Sequence, residues 1–199
     1  NLRAQPNPKT SGINGLHAYS LDVRNVDVNT SVYNVQAVFP DALTQGIITP
    51  AGNNAGYTRL RDTCVTGYRI GVGVNEHTHA DNLVIGGCGN GLFFNTGAHA
   101  SYFSRLCLHR NQIHVRVVGN CSYEIAQLNL EYVGSGQFTP ETAWQKTLFE
   151  LQDDDSLGRG KITYANTRGV VGSIDTFRIS GAANTIVKRV GSDVRLTGA

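Results

Sequence analysis

The chain has 199 residues, 40% of them apolar, and a formal net charge of +2 from 17 basic and 15 acidic side chains. That apolar fraction is enough for a real core, and the near balance of charge gives no electrostatic reason to expect nucleic acid as a partner. No apolar run approaches the roughly 20 residues of a membrane-spanning helix, so no membrane insertion is expected, and no secretory leader is visible.

The 23 glycines against 5 prolines suit many tight turns and few kinked loops. Cys64, Cys88, Cys107 and Cys121 contain no C-x-x-C pair; they are expected to be reduced thiols, not zinc ligands. Neither a metal nor another cofactor is expected. The chain has no Met, opens on Asn1 and stops in a strand-and-turn pattern at Val194–Ala199, so an excerpt of a longer polypeptide is expected.

In chain order, residues 1–15 are polar, carry Pro6 and Pro8, and read as an arm or capping strap. From residue 16 to 199 the chain reads as one all-β unit. His17–Ala37 alternates through Leu21, Val23, Val26 and Val28, at the period of two that marks a strand. The middle of the chain then repeats. Tyr57, Ala80, Phe103 and Ile125 recur at steps of 22–23 residues, as do Leu60, Leu83, Leu106 and Leu128. Further ladders run Ile47, Ile70, Phe93, Val115; Val72, Asn95, Val117; and Ile85, Leu108, Leu130. Asp62 falls opposite Ile85, which signals that the first coil is shifted or that Asp62 is a buried acid; the shift is preferred.

Recurrence of apolar positions at a fixed period is the signature of stacked repeats whose inward positions line one core. Between corners at residues 104–105, at Arg110-Asn111-Gln112 and at Gly119-Asn120, Leu106, Leu108, Ile113, Val115 and Val117 point inward. Three short strands and three corners of 22–23 residues predict a right-handed parallel β-helix. The period breaks after Val133. An irregular insertion near 134–147, with Trp144 on it and a short helix near Pro140–Lys146, precedes renewed strands at Phe149, Leu151, Ile162 and Tyr164 and a strand pattern to the end.

Leu106-x-Leu108-type strands, the Gly89-Asn90-Gly91 and Gly119-Asn120 corners and coils of this length resemble the pectate-lyase-like β-helix superfamily. Within it, the chain looks most like the trunk of bacteriophage tailspike and appendage proteins. The resemblance covers roughly residues 16–199. It implies a homotrimeric, virion-tail protein for host attachment that recognises, and often cleaves, a bacterial surface polysaccharide. The alternative is a secreted microbial polysaccharide lyase or glycoside hydrolase of the same superfamily. Neither the paired aspartates of polygalacturonases nor the calcium-binding aspartate cluster of pectate lyases is present. For the trimer, Phe94, Val118 and Trp144, outside the inward ladders, are candidates for an intersubunit surface.

Stacked strands about 4.8 Å apart make a flat wall on which a long sugar chain can lie. Outward columns read as Gly56, His79, Tyr102, Glu124; Arg59, Asn82, Arg105, Gln127; Arg61, Val84, Cys107, Asn129; and Thr63, Gly86, His109, Glu131. The candidate substrate-binding residues are therefore Arg105, His109, Tyr102, Gln127 and Trp144. Glycoside cleavage needs two carboxylates about 5–9.5 Å apart, and Glu124, Glu131 and Asp81 are the candidate catalytic group. Asp153-Asp154-Asp155 reads as a solvated loop. Glu76 and His99 fall one coil apart, close enough to touch, and read as a surface ion pair. His77-x-His79 places two rings on one face, by itself a weak metal signal.

Overall fold

Alternating apolar residues condense into seventeen short strands in a computed structural model that describes residues 2–4, 11–30, 44–51, 56–131, 147–152, 159–168, 175–180 and 185–189. In order these are β1 (Leu2–Ala4), β2 (Ile13–Asn14), β3 (Leu21–Arg24), β4 (Asp27–Thr30), β5 (Gln45–Ile48), β6 (Thr58–Thr66), β7 (Ile70–Val74), β8 (Thr78–Gly86) and β9 (Asn90–Phe94). There follow β10 (Ser101–Phe103), β11 (Leu106–His109), β12 (Ile113–Val118), β13 (Ser122–Glu131), β14 (Thr147–Gln152), β15 (Arg159–Arg168), β16 (Asp175–Ser180) and β17 (Thr185–Arg189). No helix occurs among the described residues. All of the expected insertion before Thr147, including Trp144 and the helix near Pro140–Lys146, and the Asp153–Asp155 run lie outside them.

Among the described residues every strand pairing is parallel, and the pairs assemble into two sheets. Sheet A runs β1-β4-β6-β8-β10-β13-β15-β17, with β3 and β11 continuing its rows, and sheet B runs β16-β14-β12-β9-β7-β5-β2. From β4 onward the chain alternates between the sheets, apart from the bend that divides β10 from β11. A parallel neighbour requires a crossover, and here the chain passes through a strand of the opposite sheet on the way.

The inward rows are continuous. Val23, Leu60, Ala80, Phe103, Ile125 and Ile162 share one column of sheet A. Val28, Val65, Ile85, Leu108 and Leu130 share another. Sheet B answers with Ile47, Val72, Leu92, Val115 and Phe149, and with Val74, Phe94, Val117 and Leu151. Nearly all are fully buried, and burying each such side chain stabilises the fold by roughly 1.5–3 kcal/mol. Phe94 stacks on Tyr123 at 4.3 Å between centroids and meets Phe103 edge-on at 5.6 Å.

The register corrects the sequence ladders at the first coil. Leu60 pairs with Ala80 and Thr63 with Leu83, a step of 20 and not 23. Tyr57 is therefore not inward; it stands 52% exposed. Asp62 is neither inward nor buried: it is an exposed corner residue with φ 48°, so the shifted coil is the right reading. In sheet B, Ile70 pairs with Asn90, and Val72 with Leu92. Phe93 instead points outward, with the Arg116 guanidinium 5.8 Å above its ring. Asn95 leaves the ladder for a corner, and Phe94, expected at the surface, is fully buried.

The three residues missing from the first step have a definite place. Residues 75–77 join β7 to β8, whereas residues 95–100 join β9 to β10. The longer corner turns at Gly97, with φ 87°, and carries His99.

All four cysteines are free thiols. Cys64 and Cys107 occupy one column but Val84 lies between them. Two strand spacings, about 9.6 Å, exceed the reach of a disulfide. Burial pushes the Cys88 thiol up to about 12.

Candidate functional site

The outer face of sheet A near the starts of β6, β8, β10 and β13 carries a run of aromatic and ionic side chains. One column runs Asp22, Arg59, His79, Tyr102, Glu124 and Lys161 on successive strands. These residues point outward because their neighbours Leu60, Ala80, Phe103, Ile125 and Ile162 point inward, and side chains alternate along a strand. Tyr57 lies beside this column, its ring 5.4 Å from that of His77 and 5.2 Å from that of His79. His79 in turn meets Tyr102 edge-on at 6.5 Å. Among the described residues, Tyr19, Tyr57 and Tyr102 are the exposed large apolar side chains, 78%, 52% and 41% accessible.

Asp81 and Glu124 on this face are already engaged. Asp81 accepts two hydrogen bonds from the Arg105 guanidinium, at 2.7 and 2.5 Å, and one from the Ser104 hydroxyl. The Arg105 fork, then the hydroxyl, hold the Asp81 carboxyl far below the usual carboxylate range. Glu124 accepts a hydrogen bond from Lys161 Nζ at 2.7 Å.

Of the residues expected to form a site, the structure brings Arg105 onto Asp81 and lines Tyr102 up with Glu124. Asp81 and Glu124 stand two strands and about two residues apart, roughly 12 Å between backbone positions. Glu131 lies at the far end of β13, paired with His109. The His109 ring lies across Gly86, where an added Cβ would meet it at 2.1 Å. Gln127 is exposed at an irregularity in the β13–β15 register. Trp144 lies outside the described residues.

Sequence reasoning missed Lys161 and Tyr57. Lys161 follows Glu124 by 37 residues, across the stretch where the period is lost. Tyr57 was hidden by its coincidental 23-residue spacing from Ala80.

At the corner just before β8, a second grouping adjoins the aromatic stripe. Glu76 Oε2 lies 3.4 Å from His77 Nδ1 and 3.7 Å from His99 Nε2. The expected contact between Glu76 and His99 is thus present, and His77 joins it, with its ring edge-on to His99 at 4.5 Å. No protein-family description, curated protein or solved structure matches this chain.

Proposed function

We propose that the chain is part of a right-handed parallel β-helix, the trunk of a bacteriophage tailspike or appendage protein, and that it binds a bacterial surface polysaccharide along the outer face of sheet A. Alternation of the chain between two all-parallel sheets, with steps of 20–25 residues through the middle, supports the helical winding. The resemblance of the strands and corners to phage trunks supports the biological setting, a virion tail, and the homotrimer. Phe94 no longer contributes to a trimer surface, because it is buried.

The observation that carries the binding reading is the column Arg59, His79, Tyr102, Glu124, Lys161 flanked by exposed Tyr57. Tyrosine presents an apolar ring face with a polar tip, which suits the apolar faces and hydroxyl rims of sugar rings. The ionic side chains between the rings supply hydrogen bonds at a repeat of about 4.8 Å. Binding is favoured over cleavage on this face. Asp22, Asp81 and Glu124 are ion-paired there, and the Arg105 fork holds the Asp81 carboxyl low, whereas an acid catalyst needs a raised pKa.

The test is binding to capsular polysaccharides and teichoic acids, followed by affinity electrophoresis, with parallel assays for new reducing ends and unsaturated uronate. Retention of one polysaccharide, weakened about tenfold (1.4 kcal/mol) by Tyr57→Ala or Tyr102→Ala without product release, is expected. Release of sugar products would favour the secreted lyase or hydrolase reading. Equal retention by the double variant would remove this face from consideration.

A further inference from the structure

The geometry points to a zinc-class divalent metal site formed by Glu76, His77 and His99, independent of the polysaccharide reading. One ligating atom from each of the three side chains lies within 4.8 Å of the other two. Around a tetrahedral ion with bonds of about 2.0–2.1 Å, ligand atoms stand about 3.3–3.4 Å apart. Glu76 Oε2 lies 3.4 Å from His77 Nδ1 and 3.7 Å from His99 Nε2, so two of the three edges are close to the required length. The third needs the imidazoles to close by at most about 1.5 Å relative to that tetrahedral edge.

Two further observations separate this grouping from a surface ion pair. Glu76 Oε2 is buried yet makes no hydrogen bond. Imidazoles at 3.4 and 3.7 Å are too far for charge-assisted hydrogen bonds, so they offset little of the cost of desolvating that oxygen. A cation between the three atoms resolves this. Second, His99 Nδ1 lies 2.9 Å from the Gly97 carbonyl oxygen. Donation there fixes the tautomer and leaves the Nε2 lone pair facing Glu76. A backbone carbonyl on the distal ring nitrogen is the usual support of a metal-bound histidine.

Two imidazoles and one carboxylate suit zinc and its first-row neighbours and not calcium or magnesium, which take oxygen ligands. Three protein ligands leave a fourth position for water, on the side where the His99 side chain is 45% exposed. The site owes its existence to the corner lengths. The short corner at 75–77 supplies Glu76 and His77, and the three extra residues at 95–100 carry His99 back over them.

The 199-residue chain would be titrated with Zn²⁺ alone by calorimetry and with Co²⁺ followed by visible absorption. One equivalent per chain is expected, with a tetrahedral cobalt spectrum that lacks thiolate charge-transfer bands. Glu76→Gln and His99→Ala should each weaken binding at least about tenfold, and His17→Ala, at an exposed histidine outside the triad, should leave it unchanged. Circular dichroism on each variant distinguishes loss of ligand from loss of fold, and Glu76→Gln, nearly isosteric, serves if His99→Ala does not fold. Absence of stoichiometric binding, thiolate bands in the cobalt spectrum, or equal affinity in a folded Glu76→Gln protein would overturn the proposal.

Discussion

The side-chain amide of Asn82 donates to the Asp62 carboxylate on the neighbouring strand at 2.7 Å, and both residues hold left-handed backbone, with φ of 54° and 48°. Asn25, with φ 54°, donates its backbone N–H to the Arg61 carbonyl just before Asp62. Sheet A therefore bends at one place on successive strands, while pairing continues on both sides at Arg61–Asp81 and Thr63–Leu83. Asn and Asp tolerate this conformation better than other non-glycine residues. Asn82→Val should lower the unfolding free energy by about 1–2 kcal/mol through backbone strain alone, plus the lost hydrogen bond. Asn82→Gly should cost only that bond, about 0.5–1.5 kcal/mol. Urea denaturation measures both, and a valine variant as stable as the glycine variant would refute the strain account.

Leu108 tests the core. It is fully buried between Ile85 and Leu130 in its column. Leu108→Ala should cost about 2–5 kcal/mol through lost burial and the cavity left behind. Leu108→Asp should abolish folding, since a charge would enter an apolar column with no partner. A soluble Leu108→Asp protein with unchanged β signal and melting would show that the column is not core.

The all-β class and the parallel stacking were legible because identical inward positions recur. Leu83, Leu106 and Leu128, with Ile85, Leu108 and Leu130, are spaced in the sequence as they are paired in the sheet. What spacing alone could not give is corner length. Leu60 and Leu83 match in type at 23 residues, yet the chain pairs Leu60 with Ala80, because the corner at 75–77 is three residues shorter than the one at 95–100. Strand alternation survives an odd shift poorly, so this error moved Tyr57 inward and hid an exposed ring. In sheet B the same slip put Phe93 inward in place of Leu92 and left Phe94 outside. The pairing of Glu124 with Lys161 depends on a 37-residue excursion that no period announces. Contact between Glu76 and His99 was legible from their register one coil apart; the third member, His77, was read with His79 because an H-x-H puts both rings on one face of a strand.

Asp81 should remain ionised well into acid. Its carboxylate is gripped by the Arg105 fork and by the Ser104 hydroxyl, and its pKa is lowered accordingly. A depressed folded value means that the pair's contribution is present above the unfolded aspartate range and is lost as pH falls through the folded value. Because both side chains are substantially solvated, Asp81→Asn should cost less than about 1 kcal/mol. Carbon-detected titration of the side-chain carboxyl should show Asp81 titrating below the ordinary aspartate range, and Arg105→Ala should bring it back towards that range. An Asp81 carboxyl that titrates in the ordinary range in the wild-type chain would mean that the fork is not formed in solution.

His114 makes the fold acid-sensitive. It is fully buried, and its Nδ1 lies 3.2 Å from the Asn111 side-chain nitrogen. The orientation of that amide is set from the other side, because Asn111 Oδ1 accepts from the Cys88 backbone N–H at 2.9 Å and its nitrogen also donates to the Ile85 carbonyl. Asn111 therefore presents N–H to His114, so Nδ1 must be an unprotonated acceptor and the imidazole neutral. Burial, with His109 nearby adding in the same direction, pushes the His114 pKa down from 6.5 to about 3. In the unfolded chain the ring regains its ordinary value, so between these two pH values the unfolded state binds more protons than the native state. Stability attributable to His114 is intact above about pH 6.5 and falls as pH drops towards 3, by at most about 1.4 kcal/mol per pH unit. His114→Gln keeps an acceptor for Asn111 but cannot titrate. It should be less stable than the wild type at pH 7.5 yet lose less stability between pH 6.5 and 5, as measured by urea unfolding across that range. Parallel pH dependences in the two proteins would show that His114 is protonated in the native state or is open to solvent.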